Sequence, residues 1–185
     1  NCLDKINIDS KIITKPEEVG KNNKIILPGV GSFNVAINKL NQYDWITYLK
    51  KFTQNKNNYL LGICLGMQLL SSKSYEEIET KGLDLIETEV KKLSDMECEN
   101  KLPHVGWNSL NLKNKSKLFK DIPNDIDFYF VHSYAMTNNK FVTAEFNYGK
   151  NYVAAVQREN IYGVQFHPEK SSNGGKLILK NFNDL

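Results

Sequence analysis

Cysteine is too scarce in this chain to hold a fold together. There are three, Cys2, Cys64 and Cys98, an odd number, far apart and without CxxC spacing. That pattern argues against a disulfide framework or a zinc site and for a reducing compartment, with the cytoplasm as the default. No metal and no cofactor is expected. Long apolar runs are also lacking, and the longest fall far short of the ~20 residues a membrane span needs. No basic start followed by an apolar segment is present, which reads as the absence of a secretory signal. Nor is there a block of one charge: 24 basic and 21 acidic residues are spread along the chain and leave a net charge of +3. Nucleic-acid readers concentrate positive charge in a patch, so neither nucleic acid nor membrane is an expected partner.

What is present is an ordinary globular composition, 41% apolar and 24% charged over 185 residues. It reads as one domain, 1–185, long enough to bury a core. Apolar runs bounded by glycines alternate with amphipathic stretches, which suggests an α/β fold. Lys24–Leu27 and Tyr59–Ile63 read as buried strands. The stretch 35–52 reads as one helix, with Ala36, Ile37 and Leu40 near helical spacing, and Leu65–Ser71 as the start of another. Farther on, Phe128–His132, Phe141–Phe146, Tyr152–Gln157 and Ile161–Phe166 are short aromatic and β-branched runs. Turn-like segments separate the last three, so antiparallel hairpins are expected there. Gly174–Asn181 has a closing helical pattern. The first clear strand comes only at Lys24, although a parallel sheet normally begins with a strand, so a leading strand is expected to be missing.

The stretch LLGICLGMQLL, residues 60–70, poses the central question. Gly62 and Gly66 stand two residues either side of Cys64, the G-x-nucleophile-x-G form of a strand-to-helix elbow. There a thiol sits on a strained turn at a helix start, whose partial positive charge favours the thiolate. The competing reading is a buried cysteine with incidental glycines, and this motif alone leaves both open. A nucleophile needs a base and the base needs an orienter. His167 lies in GVQFHPEK, where Pro168 pushes it toward extended backbone, so that His167 and Glu169 project to the same side. In PGVGSF, residues 28–33, glycines would let backbone N–H groups turn toward a carbonyl, as an oxyanion hole requires. The same stretch could be a simple turn or a weak phosphate loop.

Taken in order, IILPGVGSF, GICLGMQLL, PHVGWNSL, FYFVHSYA and GVQFHPEKSS resemble the class I, triad-type glutamine amidotransferases. Within them they are most similar to glutaminase subunits of imidazole glycerol phosphate synthase. The resemblance spans about residues 12–182. It implies a mostly parallel central sheet flanked by helices. It also implies that Cys64 attacks the side-chain amide of glutamine, that His167 moves the proton and that Glu169 holds His167. Backbone N–H groups of Leu65 and of the Val30–Gly31 turn would form the oxyanion hole. Gly29, Gly31, Gln68, Ser133 and Tyr134 match glutamine-holding positions. Ammonia would pass through a tunnel to a cyclase subunit, a (β/α)8 barrel, in a heterodimer. His104, Trp107, Asn108 and Tyr129 would face or couple to that partner. His132 is expected to be structural or a pocket wall, Ser171 to support the triad loop, and Cys2 and Cys98 to be inert. Three rivals stand beside this reading. One is a paralogous glutaminase serving surface-sugar amidination, one a catalytically silent docking subunit, and one a cysteine hydrolase on a related sheet.

Overall fold

The structure, a computed structural model, describes residues 2–123 and 126–185. Its centre is strand β2 (Tyr59–Cys64), whose run of Leu, Leu, Gly and Ile is buried on both faces. Leu60 and Leu61 fall in different apolar clusters, as consecutive residues must when a strand is covered on both sides. Parallel to β2 on one side runs β1 (Lys24–Gly29). Helix α1 (Phe33–Gln42) follows, its first turn capped by the Ser32 hydroxyl, which accepts from Val35 N–H. The single helix expected over 35–52 is broken here. Tyr43 closes α1 and Asp44 takes a left-handed conformation, φ 58°, before α2 (Trp45–Gln54) begins. Aspartate tolerates that region better than most residues, and the polar Asn41–Asp44 stretch gives the core nothing to hold a straight helix.

After β2 the chain makes the short helix α3 (Leu65–Leu69), which ends two residues before the expected Ser71. It then forms β3 (Ser71–Ser74), β4 (Thr80–Lys81) and β5 (Ile86–Lys92). Next come β6 (His104–Ser109), β7 (Asn111–Leu112), β8 (Asp127–His132) and β9 (Tyr134–Met136). The chain closes with β10 (Val142–Tyr148), β11 (Lys150–Arg158), β12 (Ile161–Val164) and α4 (Ser172–Asn183).

The main sheet has the order β1-β2-β12-β11-β10-β7. The mostly parallel sheet expected for it is corrected to a mixed one. Only β1, β2 and β12 run parallel, and β12, β11, β10 and β7 are joined antiparallel. The expected C-terminal hairpins account for that half, with Gly149 turning the β10–β11 connection at φ 82°. Helices α1 to α3 pack on one face through Phe33, Ile37, Leu49, Phe52 and Met67. Helix α4 covers the other face with Ile178, Leu179 and Phe182 against Phe128 and Phe166. Two smaller sheets, β4-β3-β5-β9 and the β6–β8 pair, stand beside this sandwich. The carboxyl ends of the three parallel strands gather the Val30 turn, Cys64 and the His167 loop at one place.

Candidate active site

The two glycines around Cys64 answer a packing demand. A Cβ on Gly66 would stand 1.8 Å from Leu27 O of β1, and one on Gly62 would stand 2.6 Å from Gly66 O. A Cβ on Gly163 of β12 would meet Met67 Cγ at 2.8 Å. Helix α3 therefore lies directly on three neighbouring strands, and only bare backbone allows it. Cys64 is the hinge between strand and helix, with φ 53° and ψ −111°. For a residue with a Cβ that conformation is strained, at a typical cost of ~1–3 kcal/mol, and it persists because the surrounding contacts enforce it. Because α3 has five residues, its dipole can lend the thiol little charge stabilisation, less than the elbow motif suggests.

Opposite the thiol stands His167, buried to 3% exposure. Its Nδ1 lies 2.7 Å from Glu169 Oε1. The loop that carries it is pinned to β8: His167 N–H donates to Tyr129 O at 2.9 Å. Ser171 Oγ donates to His167 O at 2.6 Å and accepts from Tyr129 N–H at 2.9 Å. Cys64 and then Glu169 raise the imidazole's affinity for a proton, against the effect of burial, to a pKa of about 9. Yet His167 Nε2 makes no hydrogen bond among the described residues. The thiol faces the ring without a closed bond, a common state for a resting site. Burial pushes the Glu169 carboxyl up, but hydrogen bonds from His167 and its own backbone, with the positive charge of His167, bring the net shift down.

A cavity of about 320 Å³ opens at this point. Its walls include Cys64, Leu65 and Gln68 from the elbow, Val30 and Gly31 from the first turn, and His167 and Lys170 from the last loop. Val131, His132, Ser133 and Tyr134 complete it, with Glu76 across from them. Of the expected glutamine-holding residues, Gly31, Gln68, Ser133 and Tyr134 therefore line one space. Gly29 lies behind it, where its Cβ position is 3.1 Å from Leu65 Cβ. Both hydrogens of Gln68 Nε2 are taken, by Tyr134 O at 2.8 Å and Gln165 Oε1 at 3.0 Å. Only its oxygen is left to meet a ligand donor.

The four residues expected at a partner surface separate into two pairs. In the β6–β8 pair Trp107 stands opposite Tyr129 and Val105 opposite Val131, on a face where Trp107 is 51% exposed. The Trp107 and Tyr129 rings meet edge-on at 5.8 Å, and Lys170 Nζ lies 5.7 Å from the Tyr129 ring centre. His104 and Asn108, one residue out of phase, turn the other way. His104 is 3% exposed among Phe130, Phe146, Tyr148 and His132, and Asn108 Nδ2 donates to Asn147 O at 2.7 Å. Strand alternation thus buries the His104 ring and turns Asn108 toward Asn147, while Trp107 and Tyr129 stay on the exposed face. His132 is a pocket wall whose burial pushes its pKa down to about 3.

Two residues at the site escaped sequence reasoning. Glu76 Oε2 accepts from Phe33 N–H at 2.8 Å and ties the first turn to the cavity; no motif marks it. Gln165 Nε2 donates toward Cys64 Sγ at 3.7 Å, and its signal was a lone amide inside an otherwise apolar strand end. Among the described residues no cluster of His, Cys, Asp and Glu is placed to hold a metal ion.

Fold and site together define a thiol-dependent acyl-transfer class, built to bring a carbonyl carbon against sulfur. Residues 2–184 match the family "Glutamine amidotransferase class-I", and the chain belongs to that family. It is 40% identical over 185 residues to imidazole glycerol phosphate synthase subunit HisH of Pelagibacter ubique, covering 98% of this chain and 88% of that one. It is 44% identical over 172 residues to the subunit of the same name from Salmonella typhimurium, covering 91% and 83%. Two solved glutamine amidotransferases share the fold. One has a TM-score of 0.72 at 17% identity, covering 98% of this chain and 90% of that one. The other, from Thermotoga maritima, has a TM-score of 0.65 at 16% identity, covering 98% and 74%.

Proposed function

We propose that this chain is the glutaminase subunit of an imidazole glycerol phosphate synthase, acting in histidine biosynthesis. The observation that carries the reading is the strained Cys64 facing a Glu169-held His167 across one cavity, in a chain 40–44% identical to subunits of that name. Cys64 gives its proton to His167 Nε2, whose affinity for it is raised by the thiol and by Glu169, and the resulting thiolate attacks the side-chain carbonyl carbon of glutamine. The tetrahedral oxyanion is met by backbone N–H groups of Leu65 and of the Val30–Gly31 turn. His167 then returns the proton to the amide nitrogen, which leaves as ammonia. Water attacks the remaining thioester and releases glutamate.

The carboxylate of Glu169 keeps the imidazole in one tautomer and stabilises its charged form. Within the cavity the Gln68 oxygen and the Glu76 carboxylate suit the α-ammonium of glutamine, and Lys170 suits its α-carboxylate. The Val105, Trp107 and Tyr129 face is where we place the cyclase subunit, a (β/α)8 barrel that would take the ammonia. Exposed aromatic residues beside a cation are the composition of an interface centre. No helix among the described residues is long and apolar enough to cross a membrane. With three unpaired cysteines, a cytoplasmic enzyme fits.

The test is glutamine hydrolysis by this chain, with and without the cyclase and its nucleotide ligand, beside Cys64→Ala. The expected result is hydrolysis that rises with the cyclase and disappears in Cys64→Ala. Hydrolysis that depends on Cys64 but ignores the cyclase would favour another ammonia acceptor. Absence of hydrolysis under every condition would leave a docking subunit.

A further inference from the structure

The polar side chains behind Cys64 form a single series of hydrogen bonds, and its direction follows from one end. Tyr134 O is a carbonyl oxygen and can only accept. Gln68 donates to it at 2.8 Å, which settles which end of the Gln68 amide is nitrogen. The other hydrogen of that nitrogen goes to Gln165 at 3.0 Å, so the group it meets is the Gln165 oxygen. That leaves Gln165 Nε2 turned toward Cys64 Sγ, 3.7 Å away. The anchor is held from its far side as well. His132 Nδ1 donates to the same Tyr134 oxygen at 2.9 Å. Both histidine pKa values are lowered by burial, so neutral His132 keeps Nε2 bare and accepts from His104 Nδ1 at 3.3 Å. Two donors, His132 and Gln68, thus converge on the Tyr134 oxygen, and the branch through Gln68 ends in the Gln165 N–H aimed at sulfur.

We infer that Gln165 orients and activates the Cys64 thiol, donating Nε2–H to sulfur from a position locked by Gln68 and the Tyr134 carbonyl. Gln165 is wholly buried; its backbone N–H is bound to Ala154 O at 2.8 Å, and its side-chain oxygen is held by Gln68 at 3.0 Å. A neutral thiol is a weak acceptor, whereas a thiolate is a charged one. The bond therefore strengthens as the proton leaves, and it favours the form that attacks. The inference concerns the same site as the glutaminase reading but needs only the thiol chemistry.

Two substitutions separate this role from mere bracing of Gln68. Gln165→Glu keeps an oxygen for Gln68 to donate to but, at neutral pH, removes the donor to sulfur. Gln165→Met keeps the volume and removes both. The first readout is alkylation of Cys64 by iodoacetamide at pH 7, followed by the mass of the Cys64 peptide, which requires no glutamine. The second is the split between kcat and KM for glutamine. Both variants should alkylate roughly tenfold more slowly, the scale of one hydrogen bond to a charged group, with kcat falling in step and KM within about twofold. Wild-type alkylation by Gln165→Glu would overturn the inference, because bracing alone would then suffice. A raised KM at unchanged kcat would overturn it too. Should either variant fail to fold, the wild-type protein decides. The 15N–1H resonance of the Gln165 side-chain amide must move when Cys64 is alkylated, and an unmoved resonance refutes the contact. Slow alkylation in both variants of a chain that hydrolyses no glutamine would support the inference and sink the glutaminase reading.

Discussion

Removing one hydroxyl, that of Ser171, tests whether the His167 loop is held by the contacts described. Ser171 is fully buried, and its Oγ both donates to His167 O and accepts from Tyr129 N–H. In Ser171→Ala the His167 carbonyl still receives Lys170 N–H at 3.0 Å, so only one bond is lost there. The Tyr129 N–H fares worse, because it loses its acceptor at a part-buried position. An orphaned buried donor costs about 1–3 kcal/mol and a lost neutral bond ~1 kcal/mol, together about 2–4 kcal/mol. With a urea slope near ~2 kcal/mol per molar, the unfolding midpoint should fall by about 1–2 M. Ser171 does not line the cavity, so its loss should spare KM. It should lower kcat by about tenfold to 100-fold, because the base is no longer held in register with the thiol. Urea unfolding followed by circular dichroism, with glutaminase kinetics on the same preparation, makes the measurement. A midpoint within ~0.3 M of wild type, far below the shift worked from the lost bonds, together with unchanged kcat would refute the reasoning.

Gly66→Ala should be far harsher than its size suggests. Its Cβ would be 1.8 Å from Leu27 O, which is backbone and cannot step aside. A loss above ~4 kcal/mol is expected, and a soluble variant with wild-type Tm would contradict the seating of α3. The pH dependence of stability tests the charged state of His167. Its raised pKa, about 9 against an ordinary 6.5, stabilises the fold fully below pH 6.5, and the contribution is lost as the pH rises through about 9. Glu169→Gln removes one group that holds the proton, so urea midpoints should fall less steeply between those limits than in wild type. Parallel profiles would show that Glu169 does not support the charge.

The strands β1, β2, β8, β10, β11 and β12 are legible in the sequence because each buries a run of apolar or aromatic residues. Strand β3, read from Ser71 to Ser74, carries no apolar pattern at all. Its place depends on partners β4 and β5, which no local signal can announce. Strand β5 does alternate, with Ile86, Thr88 and Val90 inward, and the period of two was there to be seen. The break between α1 and α2 turns on one left-handed Asp44, within what propensity allows but not what it demands. At the site, local spacing marks Cys64, His167 and Glu169 as candidates, since a turn and an extended dipeptide place them, and the family resemblance is what gives them their roles. Glu76 and Gln165 do not, because their roles exist only once distant segments close around Cys64. The motif around His104 could not show which way that ring turns, and the register of β6 against β8 buries it.

Ser133 alone separates β8 from β9, yet those two strands belong to different sheets. The cavity thus lies at a seam where three independently hydrogen-bonded sheets abut. Nucleophile and base sit on one plate, while the opposite wall is the joint between the other two. Within each sheet the strands are fixed by ladders, whereas across the seam the walls are tied by single bonds, such as His167 N–H to Tyr129 O and Gln68 Nε2 to Tyr134 O. A change of pocket width therefore breaks fewer hydrogen bonds than a change within a sheet. Trp107 is paired with Tyr129 on β8, and β8 joins the Tyr134 wall of the cavity through Ser133 alone.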